Sequence, residues 1–413
     1  MFRQNKINLA FILIILFIAA ACRPTATNTP TPEIPIQIES TSTDIPPTPT
    51  PSITPSPTAT ETLTPTSTST PEPIIFGPDN FPANINPLTG LEINDSSLLE
   101  RRPIAVKINL VPRTTYRPSW GISLADIVWE YYHNDGYTRL HAIFHGQDAD
   151  LIGAIRSGRM PDNDLIMMYK SIFAYGSADV LVNNRLLNAA YSDRLVLEGQ
   201  RSNCPPTAER PMCRYDPAGS DLLLSGTQAL SQYITNQGIE NGRQNLDGML
   251  FEENPPEMGT EVKTLYVHYS SDSYSQWNYE ETTGQYWLSL DGAMVFNPED
   301  EVYQPLIDRV TGEQVHAENV VILIIRHQYY QPPPNEIVEI LLSGTGNGYA
   351  FRDGKVYEVK WNRPTLDSVL YLTYPDGSRY PFKPGITWFQ VIGETSELQT
   401  LPDNSWRFNF RFP

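Results

Sequence analysis

Apolar residues open the chain in one run, Ile7 to Ala21, interrupted only by Asn8; Arg3 and Lys6 precede it, and Ala19, Ala20 and Ala21 lead into Cys22. The run is shorter than the roughly 20 apolar residues that span a bilayer. With its basic flank and small-residue exit it predicts a signal peptide over 1–21. The pattern then disappears. From Arg23 to Pro73 the chain is Thr, Pro and Ser with almost no apolar periodicity, a composition that cannot bury enough surface to offset ordering entropy. Residues 22–75 are therefore expected to be a disordered tether, reaching on the order of 160 Å if fully extended.

Periodic hydrophobicity returns as strand-like runs at Pro103–Leu110, Ile127–Tyr132, Leu140–His145 and Ser171–Tyr175. Helical spacing sits among them. Pro161 followed by two acidic residues marks a helix start for Asp162–Tyr169, and Leu223, Leu230 and Ile234 place a helix over Asp221–Gln237. After Glu261 the chain becomes aromatic and β-branched, with Asp-Gly turn signals at Asp291-Gly292, Asp353-Gly354 and Asp376-Gly377. The expected fold class is α+β: a mixed α/β sheet domain over 83–259, a mainly antiparallel β domain over 260–395, and a tail over 396–413. The stretch GTGNG at 344–348 reads as a tight turn, since no Lys-Ser or Lys-Thr pair follows it as a phosphate loop requires.

Charge narrows the partners. The formal net charge is −18, and loss of the signal peptide with its two basic residues moves it to −20. Nucleic acid is not expected on that balance. Besides Cys22 there are only Cys204 and Cys213, in a Pro-rich polar loop, and in an exported chain they read as a disulfide rather than two free thiols or half a metal site. Closing so short a loop contributes roughly 2.5 kcal/mol on the chain-entropy model.

Seven polar residues fall within or beside the apolar runs of the first half: Arg117, Asp126, Glu130, Arg139, Arg156, Ser157 and Arg159. Charges placed there must be paired or must face a ligand. One reading is a cleft whose guanidinium forks hold carboxylate or phosphate groups; the other is an ion-pair network that fixes packing. His141 and His145 are four apart, but on a strand that separates the rings by roughly 13 Å, so no metal site is assigned. His133 with Asp135 reads as a polar hairpin end. No G-x-S-x-G or S-x-x-K motif occurs, neither loop cysteine adjoins a histidine, and no catalytic residue or cofactor is assigned. The aromatics Trp277, Tyr279, Tyr286, Trp287, Trp388 and Phe389 suit sugar or peptide contacts or, more commonly, cross-strand pairing.

The blocks NPLTGL (Asn86–Leu91), RRPIAVKIN (Arg101–Asn109), RPSWGISLADIVWE (Arg117–Glu130), GYTRLHAIF (Gly136–Phe144) and IGAIRSGR (Ile152–Arg159) resemble the YerB-type bacterial lipoproteins, a family of unknown function. So do ENVVIL (Glu318–Leu323), GTGNGYAFRDGK (Gly344–Lys355) and PFKPGITWFQVI (Pro381–Ile392). The stretch from about Tyr191 to Gly226, with its two cysteines, departs from the family pattern. The residues before Cys22 likewise resemble a lipobox, which implies diacylglycerol on Cys22 Sγ; the alternative is ordinary secretion with a free thiol. The resemblance implies an extracytoplasmic, lipid-anchored protein with an N-terminal α/β and a C-terminal β domain. It is read here as a non-catalytic envelope protein that binds a wall component or another envelope protein. The alternative is an envelope hydrolase using acidic residues of the first domain, such as Asp126 with Glu130.

Overall fold

Five segments of the first half form strands of the central sheet: β1 (Ile104–Ile108) and β4 (Ile172–Ala174), buried at every position as strands covered on both faces are, and β2 (Ile127–Asn134), β3 (Tyr137–Phe144) and β5 (Leu195–Val196), which are buried except toward one end. β2 and β3 form a hairpin through Asp135 and Gly136, whose φ values of 53° and 81° suit a type I′ turn. Helix α1 (Asp162–Tyr169) has the bounds its Pro161 and acidic first turn predict, and α2 (Val180–Leu187) is capped by the Asp179 side chain at Leu181 N.

The computed structural model describes residues 74–216 and 221–412, within a unit spanning Ser69–Pro413. The expected signal peptide, Cys22 and nearly all of the tether lie outside the described residues. Among these, no helix is long and apolar enough to cross a membrane.

The cysteine loop is followed by β6 (Met212–Tyr215), β7 (Leu222–Ser225) and α3 (Thr227–Asn236). The helix expected from Asp221 thus starts six residues later. Leu222, Leu223, Leu224 and Ser225 are all buried, so this run has no exposed face for a helix to present, and it pairs with β6 instead. Cys204 and Cys213 form a disulfide, which ties the loop to β6.

The second half supplies β8 (Thr264–Ser270), β9 (Ser273–Glu280), β10 (Gln285–Asp291), β11 (Asn319–Ile324), β12 (His327–Gln331), β13 (Ile337–Ile340), β14 (Gly344–Arg352), β15 (Lys355–Arg363), β16 (Thr387–Ile392), β17 (Glu397–Thr400) and β18 (Ser405–Asn409). Asp353 and Gly354 make the tight β14–β15 turn as read. GTGNG does not turn; it lies inside β14. A Cβ on Gly346 would sit 2.5 Å from Trp361 Nε1 and one on Gly348 2.6 Å from Ile322 O, so these glycines admit close neighbours rather than a bend.

An eleven-stranded sheet crosses the expected 259/260 boundary, in the order β15-β14-β11-β16-β2-β3-β1-β4-β5, with Thr260–Glu261 at one edge and Tyr371–Thr373 also on β15. β16 lies parallel between β11 and β2, joining the two halves edge to edge. Its alternate side chains enter two cores: Trp388 meets Trp277 of the seven-stranded sheet built around β8–β10, while Phe389 stacks on Trp129 on the side of α1. The segment set apart as a tail, 396–413, contributes β17 and β18, and β18 pairs parallel with β8.

Candidate functional site

β1 and β4 run parallel over Ile104–Val106 and Ile172–Ala174, then separate. The segment after Ala154 enters the gap: Asn109 N donates to Ala154 O (3.0 Å), Arg156 N to Lys107 O (3.0 Å), Gly176 N to Arg156 O (3.0 Å) and Gly158 N to Ser177 O (2.7 Å). Arg156, Ser157 and Arg159 are thereby set beyond the C-terminal ends of two parallel strands, where open α/β sheets form ligand crevices.

Among the described residues three of the candidate guanidinium groups have no carboxylate within 4 Å: Arg156 and Arg159 in the crevice, and Arg139, which lines a separate small pocket with Glu130 and Asp291. Arg156 lies over the Tyr116 ring (4.9 Å) and lines a cavity of about 120 Å³ with Ser157, Ser177 and Arg214. Arg159 Nε donates to His133 Nδ1 (3.2 Å) and Nη1 to the Gly158 carbonyl (2.9 Å), and the side chain borders a groove of about 500 Å³. Arg139 Nη1 donates to Asn109 Oδ1 (2.7 Å), and its buried Nε has no partner. Desolvation lowers the proton affinity of all three, of Arg156 only from its inner side since the residue is exposed; Arg139 is pushed to about 9, with the charge of Arg159 adding to the effect. Between cavity and groove the Ser157 and Ser177 hydroxyls are 3.0 Å apart.

Behind this rim is a polar knot that sequence reading missed. Lys107, Tyr131, His141 and Asp162 are fully buried, from β1, β2, β3 and the start of α1. Asp162 Oδ1 accepts from Lys107 Nζ (3.1 Å) and Tyr131 Oη (2.5 Å) and meets His141 Nδ1 (2.9 Å), while Oδ2 accepts from Arg159 N (2.6 Å). Burial alone would raise the Asp162 pKa, but the Lys107 charge and these hydrogen bonds hold it well below the usual carboxylate range. Burial lowers Lys107 to about 7 despite its partner. Only the presence of charged and polar residues within buried strands signalled the knot.

The other sequence candidates are held by partners within the protein. Arg117 is spent on Asp291, at 2.6 Å to its carboxylate and 2.6 Å to its carbonyl, and on Leu110 O (3.0 Å). Asp126 accepts from Asn86 Nδ2 (2.8 Å), Gly146 N (3.0 Å) and His145 N; burial raises it to about 6. Glu130, between the two large sheets, accepts from Thr138 Oγ1 (3.0 Å), Trp388 Nε1 (3.2 Å) and Gln390 Nε2 (3.1 Å), and burial raises it to about 7. Asp126 and Glu130 are thus each held by separate sets of donors.

Glu130 makes a pH prediction. Its folded pKa lies above its unfolded value near 4.5, so its contribution is fully present below pH 4.5 and is lost as pH rises toward 7, by about 3 kcal/mol in all. Glu130→Gln keeps an oxygen for Trp388 and Gln390 and offers its amide to Thr138. Between pH 5 and 8 this variant should lose a corresponding part of the wild-type fall in stability, measured by denaturant unfolding. A wild-type slope retained in full contradicts the assignment.

The chain matches two family descriptions: "Protein of unknown function (DUF3048) N-terminal domain" over residues 88–240 and the corresponding C-terminal domain over 265–389. It is 26% identical over 317 residues to "Putative lipoprotein YerB" of Bacillus subtilis (strain 168), covering 74% of this chain and 85% of that one. The crystal structure of the Bacillus subtilis YerB protein superposes with a TM-score of 0.61 at 25% identity, over 75% of this chain and 96% of that one.

Proposed function

Given that this chain belongs to the YerB-like DUF3048 family of bacterial lipoproteins, a two-domain family of unknown function, we propose that it is a non-catalytic receptor for an anionic cell-envelope ligand. Lipid on Cys22 holds it at the outer face of the membrane, with residues 22–75 as its tether. The family domains are taken as 83–259 and 260–395. The observation that carries the reading is the rim itself: Arg156 and Arg159 lack carboxylate partners among the described residues, and they border the cavity and the groove that share the Ser157 and Ser177 hydroxyls at the C-terminal ends of parallel strands. Guanidinium forks suit carboxylate or phosphate oxygens. A hydrolase reading has less support, since Asp126 and Glu130 are both buried in fixed hydrogen bonds.

The test is thermal unfolding of the unit 69–413 with citrate and with tripolyphosphate, beside Arg156→Ala. Binding at a hundred times Kd adds about 2.7 kcal/mol to wild-type stability. Because Arg156 is exposed, the variant should melt within about 1 °C of wild type without ligand while binding about tenfold more weakly. If neither anion shifts the wild type and Arg156→Ala melts much earlier, the rim is structural.

A further inference from the structure

The groove beside Arg159 has a second wall of opposite charge. β12 and β13 form a two-stranded arm that lies outside both large sheets, and its tip from Gln331 to Ile337 overhangs the groove. The arm is fastened along its length: Arg185 pairs with Glu339 and lies over the Tyr330 ring (5.1 Å), Tyr132 Oη donates to Glu336 Oε1 (3.1 Å), and Tyr329 and His327 pack on Phe412 and Phe410 (4.2 and 5.2 Å between ring centroids). Asp135, Asp179 and Glu336 line the groove with Arg159, Ser157 and Ser177. Among the described residues none of these three carboxylates has a Lys, Arg or His within 4 Å, and Arg159 has no carboxylate within that distance. Asp179 and Asp135 still raise the proton affinity of Arg159 through space. Opposite charges therefore face one groove without closing on each other, and its volume falls in the range of small-molecule sites.

We propose that this groove binds a zwitterionic ligand, a short peptide with a free ammonium and a free carboxylate. The carboxylate meets Arg159 and the Ser157 and Ser177 hydroxyls; the ammonium meets Asp135, Asp179 and Glu336. Three carboxylates set against a single guanidinium favour a ligand that carries its own cation over a simple anion. The N-terminal half supplies the anion side and the arm from the C-terminal half supplies Glu336, so the ligand would be held between the two family domains. This inference rests on the anion-binding reading and adds the ammonium to it.

The experiment is calorimetric titration of the full-length chain in detergent with trialanine, N-acetyl-trialanine and trialanine amide. Free trialanine should bind about tenfold more tightly than either blocked form, the effect of one lost charge-assisted contact set. A triple variant, Asp135→Asn, Asp179→Asn and Glu336→Gln, should bind free and acetylated peptide alike. These replacements are mild: Asn tolerates the φ of 53° at position 135 and still caps α2 at position 179. If wild type binds the acetylated and free peptides equally, the ammonium site is overturned and anion binding stands. If the amide matches the free peptide, the carboxylate half is overturned. If none of the three binds, the inference falls, and anion binding is judged separately by the response of Arg156→Ala to citrate and tripolyphosphate.

Discussion

Asp162→Ala is expected to destabilise the protein by about 3–5 kcal/mol, the cost of leaving a buried charge without its partner. The carboxylate has no exposed surface and gathers Lys107, Tyr131, His141 and the Arg159 backbone amide. Its loss strands an ammonium that water cannot reach and frees the turn that carries Arg159 to the rim. The pH dependence identifies the cause. Burial holds Lys107 to about 7 in the folded wild type, so below that pH the wild type folds with its ammonium paired while the variant must fold the amine neutral; above about pH 8 both fold with a neutral amine. The penalty should therefore shrink as pH rises from 5 to 8. Urea unfolding at pH 5 and pH 8 measures it; a loss below about 1 kcal/mol at pH 5, or one independent of pH, contradicts this account of the knot.

A fragment of residues 83–259 alone is expected not to fold, although it contains the entire N-terminal family match. β2 is buried along nearly its whole length and pairs with β16, which lies more than 250 residues later; Ile127 is opposite Thr387, and Tyr131 is opposite Val391. Without β16 the fragment exposes a long apolar strand edge, a template for aggregation. It also uncovers Trp129, whose ring is stacked on Phe389 at 4.4 Å. Fully buried side chains of this size contribute roughly 1.5–3 kcal/mol each, comparable with the whole margin of a domain when several are lost. Co-expression with residues 260–413 should restore a soluble complex with a cooperative melt. A fragment that melts cooperatively by itself would show that the central sheet does not couple the halves.

The strands and α1 were legible in the sequence because their signals are local: apolar runs for β1 to β4, and Pro161 with two acids for α1. GTGNG was not, because glycines that admit Trp361 and a carbonyl look the same in sequence as glycines that bend a chain. The candidate site was half legible for a similar reason. Charges inside apolar runs announce that something must satisfy them, but not what. Arg117 finds Asp291, 174 residues away, and Asp126 finds Asn86, 40 residues away. Arg156 and Arg159 find no carboxylate because the chain carries them into the gap between β1 and β4. Lys107, Tyr131, His141 and Asp162 come from four elements, and no spacing along the chain relates them.

The most direct measurement of the central claim is a crystal of the unit 69–413 soaked in selenate, with the selenium located by its anomalous signal. The account predicts an anion within hydrogen-bonding distance of Arg156 or Arg159 and of the Ser157 or Ser177 hydroxyl. Selenium found only at other surface sites, with this rim empty at saturating selenate, would contradict it.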